Sequence, residues 1–259
     1  MWAGTLTTIR ADGRTFRIGY NTPEAGEALA RLLGPSLAED APAAAVLYSL
    51  ELHPPATGRP QPLHALLADG CTFVRARDPM RVLRALAAHL ALCDEIPGGR
   101  FLRIEGVAVT GERGTAVLPI DLRRSLAPLE RRLGVTGLRL VDTPYVLVDP
   151  TTGDLVVPPA PEVAPSVLGD VELYRGEDAP GAAPPGRHRI QGWLLDELRG
   201  APDRVRVALP LALNGGILGA DKTRRVITKV QSRAALVSRW YPWPDDLVSA
   251  VVRLAEGRR

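Results

Sequence analysis

The stretch that says most about the fold is residues 138–157, which read LRLVDTPYVLVDPTTGDLVV. Three short runs of apolar and β-branched residues predict strands, at Leu138–Val141, Tyr145–Asp149 and Leu155–Val157. Thr151-Thr152-Gly153 predicts the turn between the last two runs. The stretch therefore predicts short strands joined by tight turns.

The residues before this stretch alternate between helix and strand patterns. Apolar residues recur at helical spacing after Asp78-Pro79, so one face of that helix is expected to be buried. Strands are then predicted at Phe101–Val109 and Thr115–Leu118. Ser125 predicts the cap of a short helix that ends at Leu133-Gly134.

The N-terminal residues predict a β-hairpin, because Asp12-Gly13 is a tight-turn signal between the β-prone runs Thr5–Arg10 and Thr15–Tyr20. A helix is predicted from a cap at Thr22 to a stop at Gly34. Two further strands are predicted at Ala45–Leu52 and Cys71–Arg75.

The C-terminal part predicts further strands and helices, with no definite type for Ile190–Leu198. Strands are predicted at Val205–Leu213 and Val226–Val230, and helices at Ala234–Arg239 and Asp246–Glu256. The whole chain therefore predicts a mixed α/β class in which strands dominate. We expect an N-terminal α/β region over residues 1–100 and a core with C-terminal helices over residues 101–259, or one compact domain that includes both.

The composition is that of a globular protein, because 46% of the 259 residues are hydrophobic and 24% are charged. No apolar run reaches the ~18–20 residues that a membrane helix needs, and residues 1–10 lack the pattern of a signal peptide. We therefore expect a cytoplasmic protein with no membrane partner. The net charge is only +3, and acidic residues are interspersed among the arginines, so we expect no nucleic-acid partner.

Motifs for metal or cofactor binding are missing. The four histidines do not stand at metal-ligand spacing, so we expect no metal and no cofactor. The nearest approach to a phosphate-binding loop is Gly215–Thr223, in which Gly216, Lys222 and Thr223 stand at the required offsets. Asp221 replaces the final glycine of that motif, and the residues that follow predict a strand rather than a helix. A glycine turn between strands is therefore the favoured interpretation.

One succession of elements in the middle of the chain is more specific. Val107-Ala108-Val109 and Ala116-Val117-Leu118 precede a short predicted helix, and Leu140-Val141-Asp142 and the turn at residues 149–153 follow it. This order, over about residues 45–160, resembles the HPr kinase/phosphorylase-like family, whose core is the fold shared with phosphoenolpyruvate carboxykinase. The resemblance implies a strand-rich α/β core of that kind, with flanking helices and the N-terminal hairpin.

The chain departs from the family where the nucleotide site would be. In active members a glycine-rich phosphate loop follows the second strand, whereas Pro119–Ser125 contains no glycine and is shorter. Glu105 stands where active relatives tend to have histidine. Asp142 matches one member of an acidic pair, and Thr143 replaces the other. The positions of this degenerate nucleotide site are Glu105, Asp121, Arg123, Arg124, Ser125 and Asp142.

The resemblance thus implies a kinase-like scaffold without catalysis. Some relatives in pathways to ribosomally made modified peptides, such as crocagin, are similar to truncated HPr kinases and are thought to hold the precursor peptide. By this resemblance, the chain is expected to bind a precursor peptide or a partner enzyme, as a homodimer and with no catalytic residue.

Two alternatives to a binding protein stay open. The first is an active enzyme, either a peptide serine kinase with its nucleotide loop at Gly215–Thr223 or a hydrolase in the old cleft. The residues expected to act in that cleft are Asp121, Asp142, Arg123 and Arg124. The second alternative is a structural or regulatory dimer without a small ligand.

Candidate peptide-binding residues lie in the basic stretch that follows Asp221. Arg224, Arg225 and Lys229 are expected to attract an acidic leader peptide, and Trp240, Tyr241 and Trp243 to anchor a partner. In a strand, Arg225, Ile227 and Lys229 would share one face. The competing interpretation is a solvated charge run beside aromatic residues that fix a C-terminal helix to the core.

Overall fold

The computed structural model describes residues 2–9, 15–38, 46–57, 60–68, 71–95, 101–126, 129–159, 161–176, 182–194, 212, 218–237 and 247–258. The chain divides into two compact units. The first comprises Met1–Glu95 and Ala160–Asp178, and the second comprises Ile96–Pro159 and Ala179–Arg259. Both units combine sheets with helices, so the predicted mixed α/β class is confirmed.

The first unit contains a five-stranded sheet with the order β1-β2-β3-β4-β5. Its strands are β1 (Gly4–Ile9), β2 (Thr15–Tyr20), β3 (Val46–Glu51), β4 (His64–Ala68) and β5 (Cys71–Ala76). β1 and β2 pair antiparallel from Gly4 opposite Tyr20 to Ile9 opposite Thr15, which confirms the predicted N-terminal hairpin. β4 is not predicted by the sequence pattern, because its run HALLA is apolar without alternation.

Two helices share the core of this sheet, α1 (Pro23–Leu33) and α2 (Pro79–Glu95). α1 begins as predicted, because Thr22 Oγ1 accepts a hydrogen bond of 3.2 Å from the backbone N–H of Ala25. It ends at Gly34, whose φ of 48° favours glycine. Alternate strand residues such as Ile18 are buried in one cluster with helix residues such as Leu29. The first unit is therefore a sheet with helices on one face.

The second unit contains two sheets among its described residues. The four-stranded sheet has the order β12-β11-β10-β6, and the five-stranded sheet has the order β14-β13-β8-β7-β9. Their strands are β6 (Leu102–Ile104), β7 (Val107–Gly111), β8 (Gly114–Leu118), β9 (Leu138–Leu140), β10 (Val146–Val148), β11 (Leu155–Val157), β12 (Gly186–His188), β13 (Ile190–Leu194) and β14 (Ala235–Val237).

The run Phe101–Val109, predicted as one strand, is two strands in different sheets. β6 pairs with β10, whereas β7 pairs with β8 and β9. The chain passes from one sheet to the other at Glu105-Gly106. A Cβ atom on Gly106 would lie 2.9 Å from the carbonyl oxygen of Leu118, so this crossing requires a glycine.

The five-stranded sheet has a core on each face. The helices among the described residues of this unit are α3 (Leu122–Leu126), α4 (Glu130–Val135), α5 (Ala220–Arg233) and α6 (Leu247–Ala255). Ala108 and Val117 belong to the cluster that contains α5 and the four-stranded sheet. Val107 and Val109 belong to the cluster that contains α3, α4 and α6. The period-two alternation of strands β7 and β8 thus builds a layered unit.

Three local predictions in this unit are wrong. Val226–Val230 lies in helix α5, Ala234–Arg239 contains strand β14, and Ser125 lies within α3 instead of capping a helix. The buried residues of α5 recur at helical spacing, so packing of an apolar face overrides the β propensity of its β-branched residues. The predicted strand Val205–Leu213 lies outside the described residues, except for Ala212.

Candidate functional site

The residues of the degenerate nucleotide site predicted from the sequence lie at one edge of the five-stranded sheet of the second unit. β7 is antiparallel to both of its neighbours, β8 and β9, so β8 and β9 end at the same edge. We call this the carboxyl edge. Residues 119–125 follow β8 there, residues 141–145 follow β9, and the Glu105-Gly106 turn leads into β7 at the same edge.

The connection from β8 to α3 is a tight turn in which the backbone N–H groups of Leu122 and Arg123 are bonded within the turn itself. The N–H of Leu122 donates to the carbonyl oxygen of Pro119 at 3.1 Å, and the N–H of Arg123 donates to that of Ile120 at 3.0 Å. Pro119 has no N–H at all. A phosphate-binding loop needs several adjacent amides that point at the ligand. The residues after β8 therefore do not offer such a cradle.

The side chain of Arg123 joins the two loops of the carboxyl edge. It is 6% exposed, and its Nη2 atom donates a hydrogen bond of 2.6 Å to the carbonyl oxygen of Thr143. Burial lowers the pKa of Arg123 to about 10, although the neighbouring carboxylates of Asp142 and Glu130 oppose this change. The guanidinium is therefore charged at neutral pH, and the carboxylates of Asp142 and Glu130 offset part of the effect of burial.

The other predicted positions of the degenerate site are less enclosed. Glu105, Asp121 and Ser125 are exposed, and Asp142 is half-buried. The side chain of Arg124 lies outside the described part of the structure. Of these positions, Arg123 and Asp142 are close enough to interact electrostatically. The bond from Arg123 to Thr143 was not predicted, since no local signal links residues 20 positions apart.

The predicted peptide-binding residues Arg224, Arg225 and Lys229 lie on helix α5 and are exposed. The expectation that Arg225, Ile227 and Lys229 share one strand face is wrong, because Ile227 is fully buried on the inner side of the helix. Lys229 Nζ donates a hydrogen bond of 2.6 Å to the carbonyl oxygen of Thr151. Trp240, Tyr241 and Trp243 lie outside the described residues.

Within the predicted loop Gly215–Thr223, Gly215, Gly216 and Ile217 lie outside the described residues. The residues from Ala220 onward form a helix, which corrects the prediction of a following strand. Lys222 and Thr223 lie in the first turn of α5, after Gly219 with a φ of 82°. Thr223 is 1% exposed and belongs to the buried face. Its hydroxyl is therefore not presented to solvent, where a magnesium ion would have to reach it.

A second set of interactions fixes the turn between β10 and β11. Asp149 Oδ1 accepts hydrogen bonds from the N–H groups of Thr151 at 2.7 Å and Thr152 at 3.1 Å, and Oδ2 lies 2.7 Å from Arg187 Nη2. Burial alone would raise the pKa of Asp149, but these bonds and the arginine charge outweigh burial and hold it below its ordinary value. Asp149 is thus an ionised structural residue.

Arg233 is a residue that the sequence interpretation missed. Its Nη2 atom donates to the carbonyl oxygen of Gly153 and to Asp154 Oδ1, 2.7 Å away. Together with Lys229, it fastens the C-terminal half of α5 to the β10–β11 turn. The signal in the sequence is the repeat of a cation at Lys229 and Arg233, one helical turn apart, once this segment is read as a helix.

The described residues contain no cluster of three or more His, Cys, Asp and Glu side chains that would suit a metal ion. None of the helices described is both long and apolar enough to cross a membrane. Comparisons of the chain with models of protein families, with curated proteins and with solved structures find no match. What the protein does therefore has to be inferred from its own residues.

Proposed function

We propose that this chain is a catalytically inactive protein on an HPr kinase-like scaffold, which binds a precursor peptide or a partner enzyme in the biosynthesis of a ribosomally made, modified peptide. We further propose that it acts in the cytoplasm as a homodimer. The observation that carries the inactive part is the β8–α3 turn, in which the N–H groups of Leu122 and Arg123 are bonded internally.

The order of elements in the second unit supports the scaffold. The antiparallel pair β7 and β8 is followed by two short helices, α3 and α4, then by strand β9 and by the β10–β11 turn. Asp142 follows β9, at the position where the family resemblance implies an acidic residue. Fold alone does not fix function, so the proposal depends on what stands at the site rather than on this order.

The buried guanidinium of Arg123 at the carboxyl edge supports the proposal that the protein does not transfer phosphoryl groups. That reaction needs a bound phosphate, a magnesium ion and a carboxylate that activates the acceptor hydroxyl. Asp142 is the one member of the acidic pair that is kept, and it interacts electrostatically with Arg123. Arg123 itself is buried and bonded to the carbonyl oxygen of Thr143, so this cation serves the structure of the edge.

The test of this proposal is a titration of the purified protein with Mg-ATP, read by thermal unfolding, with an unrelated P-loop kinase as the control. A ligand at about 100 times its Kd stabilises a folded protein by ~2.7 kcal/mol, which shifts the midpoint visibly. We expect no shift at millimolar ATP and no transfer of labelled phosphate to a peptide serine. Either a shift or phosphotransfer would overturn the inactive assignment.

A kinase with its nucleotide loop at Gly215–Thr223 is the second candidate. One observation favours it, since Lys222 stands at the start of a helix, where an anion is stabilised by the helix dipole. The exposed carboxylate of Asp221 in the same turn and the buried hydroxyl of Thr223 oppose it. If ATP does bind, loss of binding in Lys222→Met would assign it to this loop, and retained binding would exclude the loop.

A further inference from the structure

The outer face of α5 carries a row of basic side chains. The inner face of the helix, which includes Val226, Ile227 and Val230, is buried. Lys222, Arg225 and Lys229 are spaced at i, i+3 and i+7 and therefore form one row, whereas Arg224 projects from another side of the helix. The three side chains of the row are exposed. We call these three residues the basic stripe.

The basic stripe has no carboxylate partner within the described residues. None of the salt bridges found there involves Lys222, Arg224 or Arg225. Helix α1 shows the ordinary arrangement of a solvated face, because Arg31 pairs with Glu27 one turn earlier at 3.0 Å. Asp221 stands at the same spacing from Arg225, but within the described residues no ion pair of this kind forms on the stripe.

The arrangement is unfavourable for the helix that carries it. Cations at i, i+3 and i, i+4 repel one another, and cations near the N-terminus of a helix oppose its dipole. Asp221 is the acidic residue in the first turn, and no further acid follows in the helix. A face of this kind, which carries three exposed cations and one carboxylate, is typical of a surface that meets an anionic partner.

The stripe is also short and firmly held. From Lys222 to Lys229 the helix rises roughly 10 Å, which an extended peptide spans with about three residues. The carboxylate of Asp221 stands in the first turn of the helix, and that of Asp154 is bound by Arg233, one turn beyond Lys229. The hydrogen bonds of Lys229 and Arg233 fasten the helix before any partner arrives. A short acidic segment fits this surface better than a long polyanion.

We infer that the basic stripe binds an acidic segment of a peptide, an inference that rests on the proposed peptide-binding function. The partner chemistry follows from charge complementarity, with Glu or Asp side chains that meet Lys222, Arg225 and Lys229. No apolar anchor is exposed among the stripe residues, so the binding is electrostatic and falls as salt is added.

The experiment uses the full chain and a short fluorescein-labelled peptide of alternating Glu and Ser, followed by fluorescence anisotropy. The matched peptide carries Gln in place of Glu. Arg225→Glu is the test variant, because Arg225 is exposed and lies at the centre of the row. Arg253→Glu is the control, because Arg253 is an exposed helix residue of the same unit, in α6, and undergoes the same charge change.

We expect the Glu peptide to bind, the Gln peptide to bind at least tenfold more weakly, and Arg225→Glu to weaken Glu-peptide binding by roughly tenfold. Arg253→Glu should bind like the wild type, and added salt should release the peptide. Equal effects of the two variants on Glu-peptide binding would overturn the proposal that the stripe binds an acidic peptide. Tighter binding of a single-stranded DNA oligonucleotide than of the Glu peptide would overturn it too. A negative result in the peptide-binding experiment does not change the result of the ATP titration. The proposal for the stripe and the proposal of an inactive protein can therefore fail separately.

Discussion

The guanidinium of Arg123 and the backbone carbonyl oxygen of Thr143 are joined by a hydrogen bond of 2.6 Å. Thr143 in turn donates from its Oγ1 atom to the carbonyl oxygen of Tyr145 at 2.7 Å. The end of β8 and the end of β9 are therefore held together by one buried side chain. Its positive charge also interacts electrostatically with the carboxylates of Asp142 and Glu130.

Arg123 is expected to contribute to stability through this bond. Arg123→Met keeps an unbranched apolar stem but leaves the carbonyl oxygen of Thr143 and the carboxylate of Asp142 without the cation. We expect a loss of about 2–3 kcal/mol in the free energy of unfolding, measured by urea denaturation. In an Asp142→Asn background the same change should cost about 1 kcal/mol less, because the two residues are coupled.

The control for this prediction is Arg131→Met on helix α4, where the side chain is exposed. A surface change of this kind should stay within about 0.5 kcal/mol of the wild type. If Arg123→Met is no more costly than Arg131→Met, the bond to Thr143 does not stabilise the carboxyl edge. The support that this bond gives to an inactive site would then be lost.

Asp149 is expected to make the second unit sensitive to acid. Burial alone would raise its pKa, but the N–H groups of Thr151 and Thr152 and the charge of Arg187 hold it below its ordinary value. A carboxyl with a lowered pKa in the folded state stabilises that state above its unfolded pKa of about 4. This contribution disappears as the pH falls through the lower, folded value.

The measurement is the unfolding free energy of the wild type and Asp149→Asn across this pH range. At neutral pH we expect Asp149→Asn to be less stable by about 1 kcal/mol. The difference between the two proteins should shrink below about pH 4, because the wild-type carboxyl is then protonated too. Asp121→Asn, at an exposed position, should follow the wild-type curve. A difference that does not change with pH would contradict the role assigned to the charge of Asp149.

Gly192 is expected to be irreplaceable in β13. A Cβ atom at this position would collide with the backbone carbonyl oxygen of Leu254 in α6 and lie 2.6 Å from the Leu254 Cγ atom. Backbone cannot move aside as a flexible side chain can, so Gly192→Ala should cost about 3 kcal/mol in thermal or urea unfolding. Gly19→Ala is the matched control, because its Cβ would meet no atom closer than 3.5 Å. Equal tolerance of both changes would mean that α6 does not pack this closely on the strand.

Local chemistry accounts for the elements that the sequence predicted well. Thr22 and Gly34 delimit α1 with contacts made inside a few residues, and the β1–β2 hairpin needs little more than a turn between two β-prone runs. The sequence pattern predicts a strand over Val226–Val230, but these residues lie in helix α5. Their β-branched side chains cost a helix less than ~0.7 kcal/mol each. Burial of Val226, Ile227 and Val230 gains about 1.5–3 kcal/mol for each side chain and decides in favour of the helix.

The candidate site likewise has features that depend on neighbouring residues and features that depend on residues distant in the sequence. The absence of glycine from Pro119–Ser125 is visible in the sequence and excludes an ordinary phosphate loop. The hydrogen bonds of the Leu122 and Arg123 N–H groups within the turn depend on the geometry of that turn. The partner of Arg123 depends on the pairing of β7 with β9, which brings Thr143 to the same edge. Such pairing between distant residues has no signature in a single sequence.

His64 is expected to be a neutral histidine with its proton on Nε2. The ring is fully buried, and its Nδ1 atom accepts a hydrogen bond of 3.1 Å from the backbone N–H of His53. Nε2 lies 2.8 Å from the carbonyl oxygen of Tyr174 and therefore has to donate. The ring thus fastens Tyr174 to the start of β4 within the first unit, beside the bond from the N–H of Tyr174 to the carbonyl oxygen of His53 at 3.0 Å.

A long-range proton–nitrogen NMR spectrum at neutral pH should show the Nε2–H tautomer for His64. His64→Ala removes both bonds, so we expect it to cost about 2 kcal/mol in unfolding free energy and to speed hydrogen exchange at the N–H of Tyr174. His188→Ala is the control, because His188 bonds to Pro184 at an exposed position and its loss should leave that exchange rate unchanged. An Nδ1–H tautomer, or equal exchange in both variants, would show that His64 does not hold the Tyr174 segment.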